Sequence, residues 1–426
     1  MSPGIKILVV NVHSALNAGD LALLQTTIDL LRQVFKDATF LVASNFPDEP
    51  AVRKLAERVV ASPWKLAGGG TPRKTRYLVL NLILGWISAI TGYYRLAFVP
   101  GKAWKTLFEA YQEADLVVAV SGNQFFSSGR FGWPLLAIAM SVELAAVFKK
   151  PAYIMPQSIG PLRTWWERQL LYGSYAPARK IYIRDLQSMH LAQFIHLPAD
   201  RVQFVPDPAF TLQPASVDEA RVILQRYGYR PDMPAIGVTV IASMPSYLDP
   251  DKIDNYYDSV ADALSELIKK HKVHVFFFYQ VSGPSPHEDD RIATDEVIER
   301  MSVDKSSVHL VKEILSPAQL KACYGCMDAF LASRLHSGIF SLSMGVPTVF
   351  VGYLTKTRGV LEALGLQQNL LELDNLTKNS LSLQVESLWS GRDQQKAALT
   401  GKTDEIVCQI QQAVQSIYED YYQQYD

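Results

Sequence analysis

Cysteine is scarce in this sequence. Three cysteines among 426 residues cannot form the disulfide framework that is typical of small secreted domains. Cys323 and Cys326 form a CxxC pair, but the sequence has no second pair for a zinc site, and this pair follows a predicted helix, so we expect it to be buried for structural reasons. The chain opens with MSPGIKILVVN and enters a strand without an apolar signal segment. These features predict a cytoplasmic protein in a reducing compartment.

An excess of charge of either sign is also missing. Lys and Arg together number 41, Asp and Glu number 42, and the formal net charge is -1. This balance gives no long-range field that would attract nucleic acid, so we expect no nucleic-acid partner, and any anion site must be local. Acidic residues cluster in PHEDDRIATDE (286–296), but at a predicted helix start, where the helix dipole favours them without a ligand. We therefore predict no metal and no cofactor.

Long hydrophobic runs are rare, with one exception. Residues 77–94, YLVLNLILGWISAITGYY, carry no charge and lie between basic residues that include Arg76 and Arg95. Their length is close to the minimum for spanning a bilayer, but Asn81 and Gly85 suit a spanning helix poorly. Three alternatives stay open: a helix that is buried or forms a homo-oligomer, a helix that lies peripherally on the inner face of the cytoplasmic membrane with its basic flanks on lipid headgroups, and, least favoured, a helix that spans the membrane.

The sequence does contain a regular alternation of short β-branched runs and longer helical patterns. Runs such as IKILVVN (5–11) predict strands of a parallel sheet with helices on both faces, and a second series begins at AIGVTVIA (235–242). The chain is also too long for a single core. We predict an α/β fold of two Rossmann-like doubly wound domains facing a cleft, at 1–212 and 213–395, with a C-terminal helical tail at 396–426.

Polar clusters follow several predicted strands of the first domain, where ligands of open α/β sheets bind. The first strand leads into NAGD, at a helix start whose N–H groups favour an anion or a hydroxyl-rich ligand, although Asp20 could simply cap the helix. The SGN loop, with aromatics and Arg130 nearby, suits a sugar. Arg184 and Asp185 form either a structural ion pair or part of a catalytic site. The candidate residues of this domain are Asn17, Gly19, Asp20, Ser121, Gly122, Asn123, Gln157, Ser158, Arg184 and Asp185.

A cationic cluster follows the predicted strand DAFLAS in the second domain. Arg334, His336 and Ser337 lie at the start of the next helix, where the helix dipole adds partial positive charge. Lys356 lies beyond the following strand, and nothing acidic occurs after position 329 until Glu362. Arginine offers a planar fork to carboxylate or phosphate, and lysine offers a point charge. We expect this cluster to bind a small, multiply charged anion.

Taken in order along the chain, these motifs resemble the polysaccharide pyruvyl transferase family. The resemblance rests on NAGD (17–20), SGN (121–123), QSIGP (157–161), RDxxS (184–188), DPAF (207–210), RLHS (334–337), GVP (345–347) and Lys356. It implies a two-domain, glycosyltransferase-B-like fold. It also implies transfer of the enolpyruvyl group of phosphoenolpyruvate onto two hydroxyls of a sugar, which gives a cyclic pyruvate ketal and releases phosphate.

The resemblance also implies roles for the candidate residues. Those that would hold phosphoenolpyruvate are Arg184, His336 and Lys356, with Arg334 beside them. The loops of the first domain would face a saccharide acceptor, either a polysaccharide or a lipid-linked saccharide. His336 would donate a proton or assist the departing phosphate, and Asp20 or Asp185 would accept a hydroxyl proton. The sequence departs from the family at positions 121–123, where three glycines are common, and at Leu16, where the family often has a glycine.

Other functions fit the same scaffold. A glycosyltransferase or a nucleotide-sugar epimerase would need a carboxylate in the second domain for the nucleotide ribose, and residues 333–356 contain none. A relative that binds sugars, or serves as a membrane scaffold, without catalysis would keep its cellular function after loss of Arg184 or His336. The absence of the carboxylate favours the pyruvyl transferase interpretation.

Overall fold

The computed structural model describes residues 4–68, 102–127, 133–242, 250–283, 288–352, 355–399 and 401–423. The uncharged segment 77–94 and the loop that contains Arg130 lie outside the described residues, so the alternatives for that segment stay predictions. Within the described ranges, no helix combines the length and the apolar character needed to cross a membrane.

The chain forms two compact units. The first contains Met1–Ala15, Leu23–Pro208 and Gln409–Asp426, and the second contains Leu16–Ala22 and Ala209–Cys408. Two details differ from the expected domains. The loop Leu16–Ala22, expected in the first domain, belongs to the second unit, and the expected tail at 396–426 is divided between the units.

The first unit is built on a parallel sheet, as the alternating pattern predicts. Its described strands are β1 Lys6–Val12, β2 Thr39–Ser44, β3 Arg58–Ala61, β4 Leu116–Ala119, β5 Gly122–Phe125, β6 Ala152–Ile159, β7 Lys180–Ile183 and β8 Val202–Phe204. They are ordered β3-β2-β1-β4-β6-β7-β8, and β5 pairs with β6. Strands such as β1 and β4 are apolar and buried along almost their whole length, because helices cover both faces of a parallel sheet.

The helices of the first unit connect these strands. They are α1 Ala18–Val34, α2 Pro50–Arg53, α3 Pro63–Leu66, α4 Lys102–Glu113, α5 Trp133–Val147, α6 Trp165–Tyr175 and α7 Leu186–Phe194. The first turn of α1 belongs to the second unit. The sequence marks several helix starts: α6 begins with a capping box in which Thr164 and Glu167 each accept a backbone N–H of the other residue.

The second unit repeats the architecture. Its described strands are β9 Ala235–Thr239, β10 His274–Phe278, β11 Val308–Val311, β12 Ala329–Ala332, β13 Thr348–Gly352 and β14 Leu370–Glu372, in the order β11-β10-β9-β12-β13-β14. Its helices are α8 Val217–Gln225, α9 Pro250–His271, α10 Asp290–Arg300, α11 Pro317–Tyr324, α12 Leu335–Ser343, α13 Thr355–Ala363, α14 Lys378–Ser390 and α15 Arg392–Leu399. The two Rossmann-like domains predicted from the sequence are confirmed.

Each sheet has a point at which the order of its strands reverses. In the first unit, β1 and β4 are neighbours although the chain visits β2 and β3 between them; in the second, β9 and β12 are neighbours in the same way. Loops at the carboxyl ends of these pairs diverge and leave a crevice, which is where doubly wound sheets bind ligands. The candidate residues Ser121 and Arg334 follow β4 and β12 directly.

The C-terminal helix α16 Lys402–Tyr422 belongs to the first unit from Gln409 onward. The hydroxyl of Tyr153 donates to Asp420 at 2.7 Å, and Arg179 forms an ion pair with the same carboxylate at 2.6 Å. The hydroxyl of Tyr182 donates to the carbonyl of Ala413 at 2.7 Å. Two side chains of the central strands are therefore hydrogen-bonded to the far end of the chain.

Lys321 anchors the start of the second unit. Its Nζ donates to the carbonyls of Phe210 at 3.0 Å and Leu212 at 2.7 Å, in the segment that follows the first unit. The side chain is buried, and this burial lowers the pKa of Lys321 from 10.5 to about 7. The two carbonyl bonds hold the ammonium in place, while desolvation penalises its charge.

Replacing Lys321 should change how stability depends on pH. The pKa of Lys321 is lower in the folded than in the unfolded state, so the unfolded state binds more protons between the two values and stability rises with pH there. We expect Lys321→Met to remove a slope of up to about 1.4 kcal/mol per pH unit. Urea unfolding at a series of pH values between about 7 and 10.5 measures this slope. Lys312→Met, at an exposed position, should keep the slope; an unchanged slope in Lys321→Met would contradict the assignment.

Candidate functional site

In the first unit, hydrogen bonds connect the polar segments at the carboxyl edge of the sheet. The hydroxyl of Ser121 donates to the carbonyl of Pro156, and the Gln157 amide donates to the carbonyl of Val120. Gly122 pairs with Gln157 in the register of β5 and β6. The SGN loop and the QSIGP turn, predicted separately from the sequence, therefore form one structure.

Two amide oxygens at this edge are unused. Asn123 Oδ1 and Gln157 Oε1 are buried and have no hydrogen-bond partner in the part of the chain that the structure describes. They belong to adjacent strands, because Gly122, the neighbour of Asn123, pairs with Gln157. A buried acceptor without a donor costs about 1–3 kcal/mol, so this edge is suited to a ligand that brings hydroxyl donors.

Arg184 is buried at the end of β7, with 1% of its surface exposed. Its guanidinium forms an ion pair with Asp207, and its Nε donates to the Ser158 hydroxyl at 2.9 Å. Asp207 belongs to the DPAF motif, but no sequence pattern predicts that it pairs with Arg184. Its position directly beyond β8 is the signal that could have identified it.

Asp185 does not pair with Arg184. It is the N-cap of α7, where one carboxylate oxygen accepts from the Ser188 N–H at 2.8 Å and the other from the Ser188 hydroxyl at 2.7 Å. The structural ion pair considered from the sequence is therefore wrong, because each residue has a different partner. Both oxygens of Asp185 serve helix capping.

The NAGD loop docks on the second unit through its backbone. The Ala18 N–H donates to the carbonyl of Gln280 at 3.0 Å, the Ser282 N–H donates to the carbonyl of Leu16 at 2.9 Å, and Asn17 forms a bridge with Val281. Asn17 also caps α1, since its side-chain oxygen accepts the Gly19 N–H at 2.9 Å. Asp20 is consequently in the first turn of α1 and is not its cap.

Gly19 lies directly against the ring of His336. A Cβ placed on Gly19 would be 2.6 Å from Cγ of His336, which is closer than two such atoms can approach. These residues come from opposite ends of the family-like motif series, and the second unit brings them together. Glycine is required at this position because a side chain would displace the imidazole.

Ser337 has a structural position next to His336. It is fully buried, its hydroxyl donates to the Arg334 carbonyl at 2.7 Å, and it shares a hydrogen bond of 2.6 Å with the Thr239 hydroxyl. Thr239 ends β9, so this bond joins the first turn of α12 to β9 at the reversal point. Ser337 was predicted to bind substrate; its observed bonds fix the start of α12 on the sheet.

Arg334 forms an ion pair with a carboxylate that is distant from it in the sequence. Its guanidinium contacts Asp290 at 2.5 Å, and Asp290 also accepts the Val281 N–H at 2.9 Å. The sequence between position 329 and Glu362 contains no acidic residue, but the sheet brings in Asp290 from the acidic stretch after β10. Burial raises the pKa of the Asp290 carboxyl, while Arg334 opposes that shift.

Gln280 is a further polar residue that the sequence did not single out. It is buried, and its Oε1 accepts from the Tyr324 hydroxyl at 2.9 Å. Its Nε2 is buried and, within the described ranges, has no acceptor. Because its carbonyl also holds Ala18, Gln280 places an unused amide donor beside the NAGD loop. The helix α12 starts nearby on the neighbouring part of the sheet without a side-chain cap.

Lys356 lies in α13, but its side chain is outside the described residues, so its predicted role stays a prediction. Arg358, two residues further along, pairs with Glu372 at 2.6 Å. No group of three His, Cys, Asp or Glu side chains in the described ranges is arranged to hold a metal ion.

A family model describes most of this chain. The model for polysaccharide pyruvyl transferase matches residues 17–355. The chain belongs to the polysaccharide pyruvyl transferase family. The match begins at Asn17, in the loop that docks on the second unit, and it ends one residue before Lys356.

Among its relatives, this pyruvyl transferase family member is similar to the amylovoran biosynthesis protein AmsJ of Erwinia amylovora. The two are 21% identical over 391 residues, which cover 90% of this chain and 92% of AmsJ. The alignment covers nearly the whole of both chains.

Solved structures support the fold. A UDP-GlcNAc 2-epimerase from Neisseria meningitidis bound to UDP-GlcNAc matches with a TM-score of 0.59 and 12% identity, covering 97% of this chain and 100% of the epimerase. Anabaena Alr3699/HepE in complex with UDP-glucose matches with a TM-score of 0.59 and 11% identity, covering 99% of this chain and 100% of that protein. At such identities the likeness concerns the fold alone, which is glycosyltransferase-B-like.

Gly19→Ala should disturb the docking of the NAGD loop. The new methyl group would overlap the His336 ring, and overpacking of this kind costs about 1–3 kcal/mol. Urea unfolding and the chemical shifts of the His336 ring measure the effect. Gly173→Ala is the matched control, because an added Cβ at Gly173 in α6 meets nothing within 4 Å. Equal stability and unchanged His336 shifts in Gly19→Ala would contradict the docking geometry.

Arg334→Met should lower stability more than the double variant Arg334→Met with Asp290→Asn. The single variant leaves a buried carboxylate without its cation, which typically costs about 3–5 kcal/mol. In the double variant, asparagine keeps an acceptor for the Val281 N–H without a buried charge. Urea unfolding of both variants gives the comparison. A single variant at least as stable as the double variant would show that the pair is not a buried ion pair.

Proposed function

We propose that this protein transfers the enolpyruvyl group of phosphoenolpyruvate to a saccharide with two free hydroxyls, which forms a pyruvate ketal and releases phosphate. Family membership supports the transferase, and the contact between Gly19 and His336 carries the proposal further. That contact joins the NAGD and RLHS motifs of the family-like series at the strand reversal of the second sheet, where ligands of this fold class bind.

The second unit provides groups for the donor. His336 lies in the first turn of α12, whose N–H groups lack a side-chain cap, and a helix start of this kind stabilises negative charge. The unused Gln280 amide adds a neutral donor. Lys356, in the first turn of α13, is proposed as the cation for the phosphate. Arg334 acts indirectly here, because its guanidinium holds Asp290.

The first unit provides groups for the acceptor. The unused oxygens of Asn123 and Gln157 would accept hydrogen bonds from sugar hydroxyls. Arg184 is proposed as a positioning residue, because it binds both Asp207 and the Ser158 hydroxyl and thereby fixes the QSIGP turn. Asp20, which the loop Leu16–Ala22 of the second unit contributes, is proposed as the proton acceptor. Asp185 is less suited to this role, because its two oxygens cap α7.

The reaction balances without an oxidant or a metal. A proton is added to the methylene carbon of phosphoenolpyruvate, and a sugar hydroxyl bonds to the electron-poor C2 and loses its proton. A second hydroxyl then replaces the phosphate at C2 and also loses its proton, which leaves with the phosphate. His336 is proposed to give the first proton, because its ring lies in the first turn of α12, where the donor is proposed to bind. The N–H groups of α12 and Gln280 would stabilise the departing phosphate.

The direct test incubates the purified protein with phosphoenolpyruvate and a panel of saccharides. We expect phosphate release that depends on a saccharide, together with the mass increase of a pyruvate ketal on that saccharide. His336→Gln should reduce the rate at least about a hundredfold, the usual contribution of a positioned acid, and should unfold at nearly the wild-type urea concentration.

His190→Gln is the control, because His190 is exposed on α7; it should keep the wild-type rate. Phosphate release that needs no saccharide would contradict ketal formation. Turnover of a nucleotide sugar in place of phosphoenolpyruvate would identify a glycosyltransferase or an epimerase. Full activity of His336→Gln would remove His336 from the mechanism.

A further inference from the structure

Five large apolar side chains are exposed on two helices of the first unit. They are Trp165 (72% exposed), Trp166 (36%), Tyr172 (40%), Leu186 (40%) and Phe194 (64%), and we call them the aromatic surface. Single exposed apolar residues are common, but a group that includes two tryptophans marks an interaction site. The proposed reaction makes no use of them.

The two helices that carry the aromatic surface are in contact. The guanidinium carbon of Arg168, on α6, lies 5.4 Å from the ring centroid of Phe194, at the end of α7. Both helices start at the carboxyl edge of the first sheet, α6 after β6 and α7 directly after β7. The exposed side chains therefore belong to neighbouring helices of the same unit.

The charge around the aromatic surface is positive. Residues 163–194 contain two carboxylates, Glu167 and Asp185, and both are buried. Glu167 accepts from the Ser127 hydroxyl at 2.6 Å and from the N–H groups that begin α6, and Asp185 caps α7. Arg163 is exposed and Arg168 is half-buried over Phe194, so the charge presented here is cationic.

We propose that the aromatic surface docks the protein on an anionic lipid bilayer. Tryptophan and tyrosine are favoured at the level of the lipid headgroups, and arginines beside them are attracted to anionic lipids. A single exposed ring is enough to stack on a sugar, whereas five apolar side chains over two helices match the larger area that an interfacial helix pair inserts. A second copy of the chain would have to bring carboxylates to this cationic face.

Binding of the full chain to vesicles tests the proposal. Flotation with phosphatidylcholine vesicles is compared with flotation with vesicles that also contain phosphatidylglycerol. We expect binding to the second kind, weakened by salt. Trp165→Ser with Phe194→Ser should weaken that binding about tenfold or more. Arg163→Gln with Arg168→Gln should weaken it about tenfold, on the anionic vesicles alone.

The matched control is Ile314→Ser with Leu383→Ser, at positions of similar exposure in the second unit, 66% and 62%. This variant should bind vesicles as the wild type does. The proposal is overturned if the wild type does not bind, if it binds both kinds of vesicle equally, or if the control loses as much binding as the aromatic variant. It is also overturned if the aromatic variant binds normally, which would place the membrane contact elsewhere in the chain.

Sedimentation velocity without lipid separates self-association from lipid binding. A wild-type dimer that the aromatic variant dissociates, combined with no vesicle binding, would assign the surface to a second copy and overturn the proposal. Thermal unfolding of every variant should match the wild type, because the substituted side chains are largely exposed. The readouts do not involve ketal formation, so this proposal and the proposed reaction can fail separately.

Discussion

The buried carboxylate of Asp290 is the interaction on which the site of the second unit depends. It accepts the N–H groups of Gln280 and Val281 at the end of β10 and the guanidinium of Arg334 at the start of α12. These elements lie on opposite sides of β9. Burying a charge costs free energy unless hydrogen-bond and ion-pair partners surround it. The bonds to Asp290 also hold Gln280 in place, and the carbonyl of Gln280 accepts the N–H of Ala18. The position of Gly19 against His336 follows from this arrangement.

The fold is predictable from the sequence because its signal is local. A parallel strand covered on both faces must be apolar along its length, and runs such as AIGVTVIA identify such strands without knowledge of their neighbours. The partition into units is less predictable. The loop Leu16–Ala22 joins the second unit mainly through backbone hydrogen bonds. Every residue type except proline has the same backbone N–H, so the sequence does not indicate which carbonyl such a group will bind. The same holds for the division of the C-terminal tail, which depends on tertiary contacts.

The site is predictable in its positions and much less in its pairings. Residues at strand ends were found because parallel strands present their carboxyl ends at one edge. The partner of Arg334 is 44 residues away, and only the strand order brings Asp290 to it. Arg184 pairs with Asp207 and not with the adjacent Asp185. Asp185 instead caps α7, a position that aspartate favours. Gln280 could not be identified from the sequence, because its buried amide is surrounded by residues that are distant in the chain.

The attachment of α16 to the first unit bears on how the protein is made. A ribosome delivers β6 and β7 long before the segment that contains Ala413 and Asp420, so Tyr153 and Tyr182 lack these hydrogen-bond partners while the residues in between are made. Domains usually fold in order of synthesis, but the first unit needs a helix that follows the second unit in the chain. A nascent chain therefore carries an incomplete first unit while the second unit is synthesised, and chaperones that recognise incomplete surfaces have that whole interval in which to bind it.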